Sequence, residues 1–116
     1  MNFPWKQLHL PEQVDELRRV SDSRPQVIFK HSTRCSISSL ALRRFEQHVI
    51  HSDADFHFLD LVAHREISAK VAKVFDVWHE SPQVLLINEG DCIYDESHFG
   101  IDTDEINQMI SQKTKG

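Results

Sequence analysis

The order of helix-like and strand-like patterns constrains the fold of this chain more than any other feature. We predict four helices and four strands: a helix from Pro11 to about Ser21, a strand over Gln26–Lys30, a helix from Cys35 or Ser36 to about His48–His51, a strand over Asp55–Val62, a helix from Glu66 to about Phe75, strands over Gln83–Asn88 and Cys92–Asp95, and a helix from Thr103 to about Lys113. Strands that are separated by helices run parallel, because the chain must cross over to return. The last two strands are joined by the short turn Glu89-Gly90-Asp91 and must be antiparallel. The predicted fold class is therefore α/β, with a four-stranded mixed sheet flanked by helices.

The size and charge of the chain limit the classes of function. Its 116 residues fit a single domain over residues 1–116, which buries a sizeable core without disulfides or metals. The formal net charge of −5 disfavours a surface that follows nucleic-acid phosphates. The amino-terminal residues lack the pattern of a secretion signal, and no apolar stretch approaches the roughly 20 residues of a membrane span. We therefore expect a soluble cytoplasmic protein with no nucleic-acid or membrane partner.

Cys35 is the residue with the clearest chemical potential. It follows the apolar run Val27-Ile28-Phe29 and stands at the head of a helical pattern. A helix amino terminus presents unpaired N–H groups and the positive end of the helix dipole, which favour a thiolate over a thiol. The thiolate is the form that attacks disulfides.

Ser38 occupies the place where a second thiol would complete a Cys-x-x-Cys site. A Cys-x-x-Cys site closes its own disulfide and expels the substrate, whereas a single thiol needs an external one. The Ser38 hydroxyl either donates a hydrogen bond to the thiolate or simply occupies the first helical turn.

Cys92 is predicted to be a buried structural residue rather than the partner of Cys35. It starts the strand after the turn, whereas Pro82 precedes the strand before the turn. Six extended residues separate Pro82 from the turn, which is roughly 20 Å at about 3.3 Å per residue. A disulfide needs α-carbons within about 7 Å. An intermolecular role for Cys92 stays open.

The eight histidines are scattered, which disfavours a metal site. Neither His48 with His51 nor His31 with Cys35 is accompanied by the further ligands that zinc needs. A histidine near a cysteine can instead act as its base or ion-pair partner. His31 and His79 are candidates for this tuning role, although structural roles are favoured for both.

A cysteine after the first strand and the pair Ser81-Pro82 at the start of the third resemble the thioredoxin fold. In that family the proline peptide bond is cis and lies beside the reactive sulfur. If the third strand runs antiparallel to the first, Pro82 and Cys35 become neighbours at one sheet edge. Trp78, which precedes this proline, is expected to pack against the protein rather than to bind substrate.

Three local segments further resemble the bacilliredoxin (YtxJ-like) family of small bacterial thioredoxin-like proteins. They are Phe29–Thr33, Cys35–Ser38 and His79–Gln83, and the resemblance extends over about residues 10 to 103. The sequence departs from the family pattern at Arg34 and Ser36, where the family usually has threonine and proline.

The resemblance implies a single-thiol oxidoreductase that removes bacillithiol from mixed disulfides on client proteins. Cys35 is then the catalytic residue, no cofactor is bound, and bacillithiol or another low-molecular-weight thiol is the co-substrate. Six residues are implied to tune the site or to bind substrate: Thr33, Arg34, Ser36, Ser38, Ser81 and Pro82. Arg34 is either a charge that favours the thiolate or a solvated loop residue.

Two other functions agree with the same residues. A non-catalytic thioredoxin-like module would hold a partner in the same groove, with Arg34 and Ser36 as signs of lost activity. A redox sensor would instead oxidise Cys35 to a sulfenic acid that a small thiol then caps.

Overall fold

The computed structural model describes residues 3–115 and contains, within that range, five strands, four α-helices and one short 3₁₀ turn. In chain order these elements are β1 (Trp5–Gln7), α1 (Pro11–Val20), β2 (Gln26–His31), α2 (Ser36–His48), β3 (Asp55–Asp60), α3 (Arg65–Val74), β4 (Gln83–Asn88), β5 (Asp91–Ser97), the 3₁₀ turn (His98–Gly100) and α4 (Thr103–Lys115). Every predicted helix and strand is therefore present. None of the helices over residues 3–115 has the length and apolar character needed to cross a bilayer.

The sheet has the strand order β1-β3-β2-β4-β5 over the described residues. The prediction of an α/β fold with a mixed sheet is confirmed, because β1, β3 and β2 are parallel whereas β4 is antiparallel to β2 and β5. The expectation that strands separated by helices run parallel holds for β2 and β3 but is wrong for β4, since α3 and the loop after it bring the chain back to the end of the sheet where β3 stops. The predicted number of four strands is wrong. The missed strand, β1, has three residues, which is too short for an alternating pattern to be recognised.

The strand β1 is held in place by contacts with residues that are distant in the chain. It pairs with β3 in parallel, with Trp5 opposite Phe56. The indole Nε1 of Trp5 also donates a 2.6 Å hydrogen bond to the carboxylate of Glu46 on α2. Because both partners come from distant parts of the chain, the local sequence carries no signal for this strand.

Aspartate side chains set one boundary of two elements, the end of β3 and the start of α4. The strand β3 stops at Asp60 rather than at Val62, because Asp60 Oδ1 accepts the N–H groups of Val62 and Ala63 and turns the chain. The helix α4 starts after Asp102, whose Oδ1 accepts the N–H of Asp104 at 3.0 Å and caps the helix.

The hydrophobic core lies on both faces of the sheet. One cluster packs β2 and β4 against α1 and α3, and includes Leu17, Ile28 and Ile67. The other packs the same strands against α2 and α4, and includes Phe29 and Phe45. Every residue of β2 and β4 is buried as a result. These two central strands form a rigid support for the loops at their ends.

Candidate active site

The carboxyl end of β2 and the start of β4 meet at one edge of the sheet. Lys30 pairs with Gln83, so Pro82 and the loop that follows β2 lie next to each other at this edge. The Ser81–Pro82 peptide bond is cis, and Pro82 is buried. The backbone N–H of His98 donates to the carbonyl oxygen of Pro82 at 3.0 Å, which places the 3₁₀ turn beside this proline.

Cys35 occupies the N-cap position of α2, as the position after β2 predicts. The loop before it is a tight turn, in which the Cys35 N–H donates to the carbonyl oxygen of Ser32 at 3.1 Å. The residue is partly exposed, and its sulfur is a free thiol. The unpaired N–H groups of the first turn of α2 therefore lie beside a sulfur that solvent and substrates can reach.

Ser38 is fully buried and is hydrogen-bonded to the loop rather than to Cys35. Its Oγ accepts the N–H of Ser32 at 3.1 Å and forms a 2.7 Å hydrogen bond with His31 Nδ1. Burial lowers the pKa of His31, against the opposing effect of the Asp60 and Glu46 carboxylates. The lowered pKa favours the neutral imidazole, whose Nδ1 either accepts the Ser38 hydroxyl proton or donates to the hydroxyl oxygen. Ser38 and His31 thus brace the loop that positions Cys35.

Removing the Ser38 hydroxyl is expected to destabilise the fold. In Ser38→Ala, the Ser32 N–H and the His31 ring lose a buried partner, which costs about 1–3 kcal/mol of unfolding free energy. Urea unfolding at pH 7 measures this loss. Ser36→Ala is the matched control, because Ser36 is exposed and should change stability by less than about 0.5 kcal/mol. Equal effects of the two substitutions would contradict the bracing role.

The other site residues implied by the family resemblance differ in how far they are exposed to solvent. Thr33, Arg34 and Ser36 are exposed around Cys35. Arg34 forms no ion pair with any carboxylate in the part of the chain described. The Ser81 hydroxyl oxygen is buried and has no hydrogen-bond partner among residues 3–115. The loop around the sulfur is thus polar and solvated, whereas the proline side of the site is buried.

Trp78 lies outside the core, and the expectation that it packs against the protein is wrong. Its exposed fraction is 89%, since the loop that joins α3 to β4 carries its ring away from the sheet. His79 is also exposed, but its Nδ1 is hydrogen-bonded to the buried Ser68 hydroxyl at 3.0 Å. Burial lowers the pKa of His79, and the nearby Lys30 and Arg65 cations lower it further. The Ser68 contact gives His79 a structural role.

Cys92 lies at the opposite end of the sheet from Cys35. It pairs with Ile87, which itself pairs with Gln26 at the start of β2, whereas Cys35 follows the end of that strand. Cys92 Sγ donates a 3.2 Å hydrogen bond to the carbonyl oxygen of Tyr94. Burial raises the pKa of the Cys92 thiol to about 11, so the thiol is protonated at neutral pH.

The Cys92→Ala variant is therefore expected to exchange disulfides at an unchanged rate. The sulfur of Cys92 is both distant from the site and un-ionised at neutral pH. The release of client thiol at pH 7, followed with a thiol-reactive dye, measures this rate. A large loss of rate in a variant that stays folded would show that Cys92 participates.

The structure also shows features near the site that the sequence analysis did not single out. Lys30 is a buried lysine on β2. Its place at the end of a predicted strand with an apolar centre could have indicated this burial. Phe99 is 78% exposed in the 3₁₀ turn. The sequence feature that could have indicated its exposure is its place between His98 and Gly100, outside any apolar run. Over residues 3–115, no group of three or more His, Cys, Asp or Glu side chains is arranged to hold a metal ion.

A model of the monothiol bacilliredoxin BrxC family matches residues 6–106, which is nearly the whole chain. The chain belongs to this family. The bacilliredoxin resemblance of its local segments is thereby confirmed, and family and fold together support a thiol redox function.

Solved structures similar to this bacilliredoxin-family chain share its fold. A protein described as a candidate oxidoreductase with a thioredoxin fold is 26% identical, covers 90% of this chain and 92% of its own, and gives a TM-score of 0.79. Schistosoma mansoni thioredoxin is 18% identical with a TM-score of 0.68, and covers 93% of this chain and 94% of its own. Trypanosoma brucei brucei thioredoxin is 16% identical with a TM-score of 0.70, and covers 99% and 96%. The thioredoxin-like fold is therefore confirmed.

Proposed function

We propose that this protein is a single-thiol oxidoreductase that removes bacillithiol from mixed disulfides on client proteins. The observation that carries the proposal is the pairing of a partly exposed Cys35 at the start of α2 with a buried serine three residues later. A nucleophile with no neighbouring thiol ends each attack as a mixed disulfide with its substrate. Family membership supports bacillithiol as the small thiol.

In the first step, the Cys35 thiolate attacks the bacillithiol sulfur of a client mixed disulfide. A bond forms between Cys35 and bacillithiol, and the disulfide to the client breaks. The client sulfur leaves as a thiolate and takes a proton from solvent. The N–H groups at the start of α2 and the cation of Arg34, the exposed residue before Cys35, favour the negative charge that the reacting sulfurs share during exchange.

In the second step, a free bacillithiol thiolate attacks the bacillithiol sulfur now bound to Cys35. The Cys35 thiolate leaves, and the two bacillithiol molecules depart as their symmetrical disulfide. Each turnover therefore consumes one free bacillithiol, which leaves joined to the bacillithiol that was bound to the client. Ser38 and Cys92 take no part, since one is bonded to the loop and the other lies at the far end of the sheet.

Mass spectrometry of the first step tests the proposal. The reduced protein is mixed with an equimolar client that carries a bacillithiol mixed disulfide, and the reaction is stopped with acid after short times. We expect the mass of bacillithiol on the peptide containing Cys35, in step with the appearance of free client thiol. A client covalently bound to Cys35, or a client that keeps its bacillithiol, would refute this direction of attack.

A further inference from the structure

A groove of about 360 Å³ runs along α2 and begins at Ile37, two residues after Cys35. We call it the α2 groove. Ile37, Leu40 and Arg44 line one wall, and Phe99, Ile101 and Asp102 line the other. The wall on α2 starts two residues after Cys35, and the opposite wall starts at the 3₁₀ turn that is bonded to Pro82. A client whose mixed disulfide lies at Cys35 can therefore extend toward this groove.

The α2 groove combines exposed apolar surface with one unpaired cation. The exposed fractions are 43% for Ile37, 38% for Leu40 and 78% for Phe99, which are high values for large apolar side chains. Ile37, Leu40 and Arg44 follow one another at spacings of three and four residues, so they share one face of the helix.

Arg44 forms no ion pair with a carboxylate among the described residues. The Asp102 carboxylate of the opposite wall already accepts the N–H groups of Asp104 and Glu105 at the start of α4. The Arg44 side of the groove therefore suits an apolar side chain followed by a carboxylate.

We propose that the α2 groove binds an extended client segment that carries an apolar residue and then an acidic residue next to its reacting cysteine. This inference rests on the proposed function and names the kind of client on which it acts. Arg44 lies nine residues beyond Cys35, which is about 13 Å along an α-helix. An extended chain covers that distance in about four residues. The acidic residue is therefore placed about four residues from the client cysteine.

Peptides with a chromogenic leaving group test this spacing without depending on the identity of the small thiol. Each peptide has one cysteine in a disulfide with 5-thio-2-nitrobenzoate, a leucine two residues away, and glutamate or glutamine four residues away, either before or after the cysteine. With this probe the Cys35 thiolate attacks the peptide sulfur instead of the small-thiol sulfur, because the aromatic thiolate is the better leaving group. A peptide–Cys35 disulfide forms, and the coloured thiolate leaves. The second-order rate constant of one turnover is then measured by absorbance.

We expect one of the two glutamate peptides to react about three- to fivefold faster than its glutamine analogue, as for an accessible ion pair. Arg44→Gln should remove this preference, and raising the salt to about 0.5 M should weaken it. Arg43→Gln is the matched control, because Arg43 is an exposed arginine of α2 outside the groove. Arg44→Glu should prefer a lysine peptide. Equal rates for all peptides, or an equal loss in the Arg43 variant, would overturn the proposal.

A binding measurement completes the test without any reaction. A serine analogue of the preferred peptide, added to ¹⁵N-labelled protein, should shift the backbone amide signals of Ile37, Leu40 and Phe99. Unmoved signals would overturn the docking proposal even where exchange is fast. Shifts of the same signals with protein concentration alone would assign the groove to a second copy of the chain and would also overturn it. Failure to release bacillithiol would refute the proposed function and leave the docking result standing.

Discussion

Replacement of the Cys35 sulfur by oxygen is expected to reduce the removal of bacillithiol to the uncatalysed rate. Serine fits the N-cap position of α2 at least as well as cysteine, so the fold should persist. A hydroxyl stays protonated at neutral pH and does not attack disulfides. The release of client thiol in the presence of excess bacillithiol is the measurement. Cys92→Ala, which leaves the nucleophile in place, is the control.

The time course of the unmodified protein separates this function from its two rivals. An oxidoreductase releases many equivalents of client thiol per protein molecule and returns to the reduced state. A redox sensor would accumulate one equivalent of small thiol on Cys35 and then stop. A non-catalytic module would bind the client and release none of its thiol. Client thiol released by Cys35→Ser as fast as by the unmodified protein would show that the chemistry does not depend on Cys35.

Lys30 gives the second large expected effect, because a buried and unpaired ammonium opposes folding. The residue is fully buried on β2, and its Nζ has no hydrogen-bond partner among the described residues. The amide of Gln83 lies opposite it in the sheet, and its Oε1 also lacks a partner there. Burial lowers the pKa of Lys30 from 10.5 to about 8. A lysine at this position therefore weakens the fold at neutral pH.

The direction of the pH effect follows from the two pKa values of Lys30. Below pH 8 the folded and unfolded states both hold the proton, and the full cost of burying the charge is present. As the pH rises from 8 to 10.5, the folded state loses its proton first, so the contribution of Lys30 becomes less unfavourable. The full difference corresponds to about 3 kcal/mol.

Lys30→Met is thus expected to stabilise the protein by about 2–3 kcal/mol at pH 7, since a methionine fills the same space without a charge. The gain should shrink as the pH approaches 10. Chemical unfolding at several pH values measures both effects. Lys73→Met on the exposed face of α3 is the matched control and should change stability by less than about 0.5 kcal/mol. A less stable Lys30→Met variant would show that the ammonium has a favourable partner.

The sequence predicts those parts of the site that depend on residues close together in the chain. The strand β2 is a run of apolar residues, Cys35 follows it at the head of a helical stripe, and Ser81-Pro82 opens the next clear strand. Cys35 and Pro82 meet at one end of the sheet because β4 runs antiparallel to β2. The rule that strands separated by helices run parallel would place them at opposite ends, so the resemblance to the thioredoxin fold, and not the order of the elements, implied their proximity. The family resemblance adds the chemistry to this arrangement.

The parts that escaped prediction depend on neighbours that are distant in the chain. Whether Ser38 faces Cys35 or His31 depends on how the loop folds back on the strand, which no spacing rule specifies. The exposure of Trp78 depends on the path of the loop after α3. Phe99 and Arg44 form a groove because the 3₁₀ turn lies against α2, and their separation of 55 residues hides this in the sequence.

The short strand β1 also covers part of a strand edge that would otherwise be open. Its three residues cover the outer edge of β3, whose backbone N–H and carbonyl groups would otherwise form an open template. The hydrogen bond from Trp5 to Glu46 attaches β1 to α2, so replacing either side chain should weaken this attachment. A chain shortened up to Gln7 would present β3 to other molecules and become prone to edge-to-edge aggregation, even with its reactive cysteine intact.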